Sequence, residues 1–553
     1  MLSRRRLLQA TALAATSGFA TAQATKAATT RTGRRPNIVV ILADDLGYGT
    51  LGAYGQQFVK TPHLDRLAAE GIRFTNGYSA AAVCAPSRTS LLTGMDGGHA
   101  RVRSNSMRET GVQPRLLAED TTWAQVLSAG GYRTGAFGKW GFGDDSWFTP
   151  SPIGVTCDVT LPVTPGGGFQ GGAPHNGGGS FQTSDRGDRS HPLQKGFDEF
   201  VGIVTTEAAF QYWPDYLWHG NGRVRLKGNE GEARGTYAPQ VYKDATLSFI
   251  DRHAKDEFCV YFAPQLAHWP TQVPDTKPYD DQVTWTEDMK RYASQITLLD
   301  TYVGEILARL HKHGIADDTL VIFTADNGPT PNEHLLVGSG ACTDADTPSP
   351  DSALADVLWN TNGGLRAGKN SLYEGGIRVP LIAWGPKVVR KDTHTVADRP
   401  WSSVDLLPTL ADIAGVTAPV DVDGISIRDW ITGERRGRQK AHRPLYWERP
   451  KAQDQNIDGG PPSALVYTTA MRSGSWKAVR YAPGDDPTIP DARATFELYD
   501  LATDPAETRD VSLLHRDVVA DLQRQMRARH TPMGFRRRPY TARRNGEELR
   551  LPR

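Results

Sequence analysis

The sequence is short of three features that mark common classes of protein. Only 4 of its 553 residues are cysteine, too few for a fold held together by disulfides. Neither sign of charge dominates, since 63 Lys and Arg residues face 62 Asp and Glu residues, and this balance argues against a dedicated nucleic-acid binder. No run of apolar residues approaches the roughly 18 that a membrane-spanning helix needs, so we expect no membrane span.

The first 24 residues have the layout of an export signal. Arginines at positions 4–6 precede a mildly apolar run, and the small-residue motif Ala22-Gln23-Ala24 follows it. The arginine cluster resembles a twin-arginine signal. We therefore expect a signal peptide over residues 1–24 and a periplasmic or secreted mature protein.

Unbroken apolar runs alternate with helical patterns over much of the remaining chain. Residues 38–42, 258–262 and 320–323 form such runs, which are typical of strands buried on both faces of a parallel sheet. Apolar residues recur at helical spacing over 61–71 and 288–313. The alternation predicts an α/β fold in which ligands bind beyond the carboxyl ends of the strands.

Composition divides the chain after the signal into two predicted domains. We expect the α/β domain over residues 35–435 and a smaller α+β domain over 440–535, made of a small antiparallel sheet and a helix at 516–529. Residues 536–553 are predicted to be a basic surface tail. The glycine-rich stretch 164–180 is predicted to be a long loop.

Two of the predicted strands end in pairs of oxygen-bearing side chains. Asp44 and Asp45 follow the first apolar run, and Asp326 and Asn327 follow the last. Either pair alone is more typical of a turn or a helix cap. Because both stand at strand ends, without cysteine or clustered histidine among them, together they indicate a site for Ca²⁺ or, less favoured, Mg²⁺.

A short helix is predicted at residues 84–94, with Pro86 near its start and Gly94 at its end. Cys84 would occupy its N-terminus, where free N–H groups and the helix dipole favour an anion. Arg88 lies one turn further along the same face. The pattern places a nucleophile and a guanidinium beside an anion-binding pocket, with a buried structural cysteine as the alternative.

The segment Cys84-Ala85-Pro86-Ser87-Arg88 matches the C-x-P-S-R signature of the sulfatase family, and ILADDLGYG at 41–49 and FTADNG at 323–328 match its metal-binding segments. Further segments resemble the family throughout the chain after the signal: GKWG at 138–141, HPLQKGFDEFVG at 191–202, AHWP at 267–270, LRAGKNSLYEGGIRVP at 365–380 and ELYDLATDPAE at 497–507. The sequence resembles the formylglycine-dependent, arylsulfatase A-like members. The resemblance implies an alkaline phosphatase-like α/β fold, with a mostly parallel central sheet flanked by helices and a smaller C-terminal α+β domain.

The resemblance also implies that a formylglycine-generating maturation enzyme converts Cys84 to an aldehyde. The hydrated aldehyde would attack the sulfur of a sulfate ester and its second hydroxyl would then expel sulfate, whereas a serine would be left as a stable sulfate ester. Ca²⁺ would polarise a sulfate oxygen. By resemblance, five residues would hold this ion: Asp44, Asp45, Asp326, Asn327 and the modified residue 84.

By the same resemblance, basic side chains surround the reacting group. Lys139 and Lys369 would grip the sulfate and Arg88 would steady residue 84. His268 would protonate the leaving oxygen. The expected substrate is a sulfated small molecule or polysaccharide, and no nucleic acid is expected as a partner.

One position departs from the family pattern. Many relatives carry histidine two residues after the first lysine, where this chain has Lys139-Trp140-Gly141. That histidine is thought to accept the proton that drives sulfate release, and His99, just after the signature helix, is the candidate replacement. The glycine can also make room for a bulkier substrate.

Two other functions compete with hydrolysis of sulfate esters. Sulfate and phosphate transfer share a geometry, so a phosphonate monoester or phosphodiester hydrolase of the same superfamily is one alternative. A non-catalytic glycan-binding relative is the other, because the histidine is missing at position 141. The aromatic segment YWPDYLW at 212–218 fits a sugar subsite or, more commonly, the core.

Overall fold

The computed structural model describes the chain in these ranges: 34–105, 114–143, 190–330, 360–389, 396–433, 444–450, 466–484, 486–532 and 540–549. Its strands, in chain order, are β1 (Asn37–Ala43), β2 (Ile72–Phe74), β3 (Gly77–Tyr78), β4 (Arg133–Lys139), β5 (Glu199–Ile203), β6 (Tyr216–His219), β7 (Gly222–Arg225), β8 (Phe258–Ala263), β9 (Thr319–Ala325), β10 (Leu381–Trp384), β11 (Val396–Ala397), β12 (Trp401–Ser402), β13 (Leu445–Arg449), β14 (Val466–Ser473), β15 (Trp476–Pro483), β16 (Thr495–Asp500), β17 (Ala542–Arg544) and β18 (Glu547–Leu549). Its helices are α1 (Pro62–Glu70), α2 (Cys84–Thr93), α3 (Trp123–Ala129), α4 (Ala238–His253), α5 (Glu287–Lys312), α6 (Glu374–Ile377), α7 (Leu406–Ala414), α8 (Arg428–Thr432) and α9 (Arg516–Arg529).

Ten of the strands form one sheet in the order β11-β2-β10-β9-β1-β8-β4-β5-β6-β7. The central strands from β9 to β5 are parallel to one another. Strands β10 and β6 pair antiparallel to these central strands, one on each side. The architecture is the mostly parallel α/β sheet that the sequence predicts.

Strand β1 shows why the apolar runs are unbroken. Val39 and Ile41 pack into a core shared with α1, α4 and α5, while Ile38 and Val40 pack into a second core shared with α2, α3 and α7. Successive side chains of a strand point to opposite faces, so a strand covered on both faces needs apolar residues at every position. The predicted strands at 38–42, 258–262 and 320–323 are confirmed as β1, β8 and β9.

The helices predicted at 61–71, 84–94 and 288–313 are confirmed as α1, α2 and α5. Neither residue that flanks α1 caps it in the usual way. Thr61 makes no side-chain cap but donates to Asp65 Oδ1 at 3.0 Å, and Gly71 has an ordinary negative φ of −112°. Gly94, with a φ of 69°, does end α2 in the left-handed conformation that favours glycine.

A four-stranded antiparallel sheet, β13-β14-β15-β16, follows the large sheet in the chain. Helix α9 packs on it through Leu522 and Met526, which share a core with Met471. This sheet and helix are the predicted smaller α+β unit. The predicted domain boundaries at 435–440 and 535 stay predictions.

The predicted basic tail is a packed hairpin where the structure describes it. Strands β17 and β18 pair antiparallel, and Ala542 is fully buried in the core on the α2 side of the large sheet. Tyr540 donates its hydroxyl hydrogen to the carbonyl of Thr417. The predicted signal peptide and the glycine-rich stretch 164–180 lie outside the described residues. Within the described ranges, no helix combines the length and the apolarity that crossing a bilayer requires.

Candidate active site

The oxygen-bearing side chains predicted to converge do so at the carboxyl edge of the large sheet. Asp44 and Asp45 follow β1, Asp326 and Asn327 follow β9, and the last residues of these two parallel strands are paired. The residues after both strands therefore meet. The Asp45 N–H donates to Asp326 Oδ1 at 3.1 Å, and Asn327 Nδ2 donates to Asp45 Oδ1 at 2.7 Å.

Helix α2 brings Cys84 against the same carboxylates. Cys84 is the first residue of α2, and its Sγ lies 3.5 Å from Asp44 Oδ1 and 3.9 Å from Asp45 Oδ1. The next N–H of the helix, that of Ala85, is capped by Asn105 Oδ1 at 2.9 Å. Burial raises the pKa of the Cys84 thiol to about 12, so the unmodified side chain is a protonated thiol.

Arg88 ties α2 to the ends of three strands. Its Nη2 and Nε lie 2.8 and 3.1 Å from Asp326 Oδ2, and Nη2 lies 3.5 Å from Asp44 Oδ2. Its Nη1 donates to the carbonyl of Lys139 at 2.7 Å and reaches the hydroxyl of Tyr261 at 3.4 Å. Burial alone would lower the pKa of Arg88, but Tyr261 and Asp326 hold it above its ordinary value.

Two lysines complete a balanced set of charges. Lys139, the last residue of β4, places Nζ 2.7 Å from Asp44 Oδ2. Lys369, in the segment before α6, places Nζ 2.6 Å from Asp45 Oδ2. Three carboxylates thus face three cations inside the protein: Asp44, Asp45 and Asp326 against Arg88, Lys139 and Lys369.

The carboxyls respond unequally to this shared environment. Burial would raise the pKa of Asp44, but Lys139 and the other nearby cations hold it well below its usual range. Burial and the charge of Asp44 raise the pKa of Asp326 to about 7, despite Arg88. Full ionisation of all three carboxyls is therefore favoured by a further positive charge, such as a bound metal ion.

The donor set fits a cation that prefers oxygen ligands. One ligand atom each from Asp44, Asp45, Cys84 and His268 lies within 4.8 Å of the others. Asn327 Oδ1 is buried, and among the described residues it has no hydrogen-bond partner. Carboxylate and amide oxygens are the ligands of Ca²⁺ and Mg²⁺, so this buried cluster can hold a metal ion.

His268, in the loop after β8, closes one side of the site. Its Nε2 lies 3.3 Å from Lys369 Nζ and 3.7 Å from Asp45 Oδ2. Its Nδ1 contacts the carbonyl of Trp269. Burial, together with the charge of Lys369, lowers the pKa of His268 to about 4, so the ring is neutral and Nε2 accepts from the lysine.

The structure does not bring His99 to this centre. Helix α2 has 10 residues, which is about 15 Å, and His99 follows its opposite end. The Nδ1 of His99 lies 2.9 Å from Asp423 Oδ1 and 3.6 Å from Asp96 Oδ1, and Arg529 at the end of α9 contacts both carboxylates. These four residues form a separate group, the junction cluster, and the placement speaks against His99 as the replacement for the missing histidine.

Gly141 does lie at the centre, against Arg88. Its φ is +96°, a conformation that favours glycine, and a Cβ at this position would stand 3.2 Å from Arg88 Cδ. A side chain here would therefore crowd the arginine that anchors α2.

Sequence reasoning missed two residues that hold the site. Thr330 Oγ1 donates to Asp45 Oδ2 at 3.0 Å, and the hydroxyl of Tyr261 contacts Arg88. Thr330 stands in the loop after β9 and could have been found as a neighbour of Asp326. Tyr261 is one position in an apolar run, so no local pattern marks it.

The aromatic surroundings of His268 were also missed. The Phe210 ring packs edge-on against the His268 ring, with centroids 5.0 Å apart. The nearby segment 212–218 lies partly in the core, since Tyr212 and Trp218 are buried. Tyr212 donates its hydroxyl hydrogen to the His268 carbonyl at 2.6 Å, which helps to fix the loop after β8.

Known proteins resemble this chain over nearly its whole length. The family profile described as Sulfatase matches residues 36–416, and that of N-sulphoglucosamine sulphohydrolase, C-terminal, matches residues 367–532. The chain is 32% identical to arylsulfatase A of Homo sapiens over 503 residues, which is 86% of this chain and 83% of the relative. It is 28% identical to N-acetylgalactosamine-6-O-sulfatase of Bacteroides thetaiotaomicron over 528 residues, covering 88% of this chain and 92% of the relative.

Solved structures share the fold. The crystal structure of Ps i-CgsB matches with a TM-score of 0.63 at 24% identity, covering 91% of this chain and 95% of that one. The chain belongs to the sulfatase family. It is a hydrolase of sulfuric esters, as the C-x-P-S-R signature predicts.

Proposed function

We propose that this sulfatase hydrolyses sulfate esters of carbohydrates, with formylglycine at position 84 and a bound Ca²⁺. The observation that carries the proposal is the convergence of buried carboxylates and buried cations on the first residue of α2, together with an amide oxygen that has no hydrogen-bond partner in the described part of the chain. The carbohydrate part is supported by the bacterial relative, which is named for N-acetylgalactosamine 6-O-sulfate.

The metal ion would be held by oxygen ligands from two strand ends and by the modified residue: Asp44, Asp45, Asp326, Asn327 and residue 84. When bound, it would supply a Lewis acid that polarises a sulfate oxygen. Ca²⁺ is favoured over Mg²⁺ because it accepts more oxygen ligands in a more flexible geometry. Since the carboxylates and cations of the site balance, a divalent ion would leave it positive, which favours an anionic ester.

The chain's own residues would orient the ester and stabilise its charge. The ammonium groups of Lys139 and Lys369 lie beside Asp44 and Asp45, so they would meet the sulfate oxygens next to the metal ligands. Arg88 holds the start of α2 to the strand ends and would keep residue 84 aimed at the ester. To protonate the leaving oxygen, the neutral His268 ring would first take up a proton, which an anionic ester bound beside it would favour.

Conversion of Cys84 by a maturation enzyme belongs to the same proposal. The thiol is buried with its pKa raised to about 12, so the unmodified cysteine is a poor nucleophile at neutral pH. The hydrated aldehyde would supply both the nucleophile and a route for sulfate release. Because residue 84 is only 1% exposed in the folded chain, we infer that conversion precedes the completion of folding.

We also propose export through the signal at residues 1–24. The twin-arginine route carries folded protein, which suits a chain that is modified before it leaves the cytoplasm. Sequencing of the mature N-terminus in a periplasmic fraction tests this proposal. Replacement of the three arginines at positions 4–6 by lysines should keep the protein inside the cell.

The function is tested by comparing three substrates: N-acetylgalactosamine 6-sulfate, 4-nitrophenyl sulfate and bis(4-nitrophenyl) phosphate. The enzyme should be matured in a competent host, with the aldehyde confirmed by the mass of the peptide that spans Cys84. We expect higher kcat/KM for the sulfate esters. A preference for the phosphodiester would support the phosphonate or phosphodiester hydrolase instead, and binding of sulfated sugar without turnover would support a glycan-binding relative.

A further inference from the structure

Two large aromatic side chains are exposed beside His268. Phe210 is 45% exposed and Trp269 is 41% exposed, although aromatic residues are mostly buried. The Phe210 ring centroid lies 5.0 Å from that of His268 and 5.8 Å from that of Trp269, edge-on in both pairs. Exposed aromatic rings that touch one another and a residue of the reaction centre are typical of a binding surface.

The backbone under these two rings is held in place by buried polar contacts. Gln265 is fully buried, and its Nε2 donates to the two carbonyls on either side of Phe210 at 3.1 and 3.2 Å. The hydroxyl of Tyr212 shares its one hydrogen between the carbonyls of His268 and Gln265, at 2.6 and 3.0 Å. The segment of Phe210 and the segment of Trp269 are therefore hydrogen-bonded to each other. Binding of a ligand would cost little free energy for ordering them.

The position of the pair relates it to one part of the substrate. His268 Nε2 lies 3.3 Å from Lys369 Nζ, and Lys369 contacts Asp45 in the centre. If His268 serves the leaving oxygen, the carbon skeleton attached to that oxygen must extend from the centre past the His268 ring. Phe210 and Trp269 form the exposed apolar surface that contacts this ring and its loop.

We infer that Phe210 and Trp269 form a platform for the pyranose ring that carries the scissile sulfate, an inference that rests on the proposed function. A pyranose has an apolar C–H face and an edge of hydroxyl groups. The aromatic rings suit the face, and the exposed side chains of Glu207 and Gln211, which flank Phe210 in the chain, suit the edge. A plain aryl ring would use the aromatic surface alone.

The test measures inhibition of 4-nitrophenyl sulfate hydrolysis by two probes, N-acetylgalactosamine 6-sulfate and inorganic sulfate. Both probes can reach the lysines, but only the first carries a sugar ring. Phe210→Ala and Trp269→Ala should each raise the inhibition constant of the sugar sulfate about tenfold. Both should leave the inhibition constant of inorganic sulfate unchanged, and Trp269→Phe should restore most of the sugar binding.

Phe58→Ala is the matched control, because Phe58 is 40% exposed and lies outside the site. It should leave both inhibition constants unchanged. Equal weakening of both probes by the platform variants would show that the rings only support His268. Unchanged inhibition constants for both probes would show that the rings do not bind the sugar. Either result overturns the inference. A matured wild-type enzyme without activity on any sulfate ester would overturn the proposed function first, and this inference with it.

Discussion

Similar sets of acidic and histidine side chains surround the two ends of helix α2, but their hydrogen bonding differs. At its N-terminal end, Asp44 and Asp45 approach His268 together with Cys84, and at its C-terminal end two aspartates and His99 form the junction cluster with Arg529. By residue type and spacing alone, either group could hold a metal ion. The difference lies in which polar atoms already have partners.

In the junction cluster the chain itself supplies the partners. The Asp96 N–H donates to Asp423 Oδ2 at 2.9 Å, the Gly98 N–H donates to Asp96 Oδ1 at 3.0 Å, and Arg529 contacts both carboxylates. At the other end Asn327 Oδ1 is buried and finds no hydrogen-bond partner within the described ranges. The hydrogen-bonding state of the polar atoms, rather than the residue types, therefore distinguishes the proposed reaction centre from the junction cluster.

The largest contrast between the two ends should appear in turnover. Cys84→Ala removes the proposed nucleophile and should lower kcat by a factor on the order of 10⁴ or more. Cys84→Ser should react at most once and remain as a sulfate ester, visible in the intact mass. His99→Asn, at the other end, should change kcat by less than about threefold. A His99→Asn enzyme that accumulates sulfated protein would make His99 the missing base and abolish the contrast.

The second-largest contrast should appear in metal binding, because we expect Ca²⁺ to bind only at the end of α2 that carries Cys84. Chelation with EGTA should lower kcat/KM by a factor on the order of 10³, and added Ca²⁺ should restore it. Asp45→Asn should weaken Ca²⁺ binding measured by calorimetry, because it removes a carboxylate that we propose as a metal ligand. Asp423→Asn is the matched change in the junction cluster and should leave the calorimetric titration unchanged. Loss of a Ca²⁺ site in Asp423→Asn would show that both ends bind metal.

The sequence predicted those parts of the candidate active site whose positions follow from the pairing of strands. Unbroken apolar runs predicted β1 and β9, and the pairing of parallel strands brings Asp44 and Asp326 together at their ends. The prediction for His99 relied instead on its closeness to the signature in sequence. A helix of 10 residues separates it from Cys84, so closeness along the chain did not mean closeness in space, and the role of His99 stays a prediction that the structure disfavours.

Local sequence patterns could not predict contacts between residues that are far apart in the chain. Arg529 comes from α9, near the other end of the chain, yet it completes the junction cluster around Asp96. Phe210 meets His268 where hydrogen bonds from Gln265 and Tyr212 join two loops that are distant in sequence. The roles expected for Lys139 and Lys369 followed from the family resemblance, because an isolated lysine carries no signal of its own.

Substitution of Gly141 tests how closely the backbone packs against Arg88 in the candidate active site. In Gly141→Ala the Cβ would stand 3.2 Å from Arg88 Cδ, on a backbone with a φ of +96°. We expect kcat to fall about tenfold with a smaller change in KM, and the free energy of unfolding to fall by about 1 kcal/mol. Gly314→Ala is the control, because its φ is +67° and its Cβ would meet open space. It should lose similar stability without losing kcat, and an equal loss of kcat in both variants would contradict a role for the packing on Arg88.

The smallest expected effect concerns the pH dependence of stability at the junction cluster. Burial and the charge of Asp423 raise the pKa of Asp96 to about 7, and the hydrogen bond to Asp423 raises the pKa of His99 above 6.5. Between about pH 4 and 7 the unfolded chain releases the Asp96 proton while the folded chain keeps it, so stability falls as pH rises. The contribution of His99 is complete below pH 6.5 and is lost as pH rises through its folded pKa, which is the same direction. Asp423, whose pKa His99 and Arg529 hold low against burial, acts only in more acidic solution.

Asp96→Asn keeps the shape of this side chain and removes its titration. Saturating Ca²⁺ should keep the carboxyls of the centre ionised during the measurement. Under these conditions the wild-type Tm should fall between pH 5 and 8. Over the same range the free energy of unfolding should fall by about 1 kcal/mol less in the variant than in the wild type. The kcat of the variant should match that of the wild type, because the cluster joins α9 to the end of α2 that is remote from Cys84. If both proteins show the same slope of Tm against pH, Asp96 does not carry the proton that makes stability depend on pH. That result would remove this difference between the junction cluster and the site at Cys84.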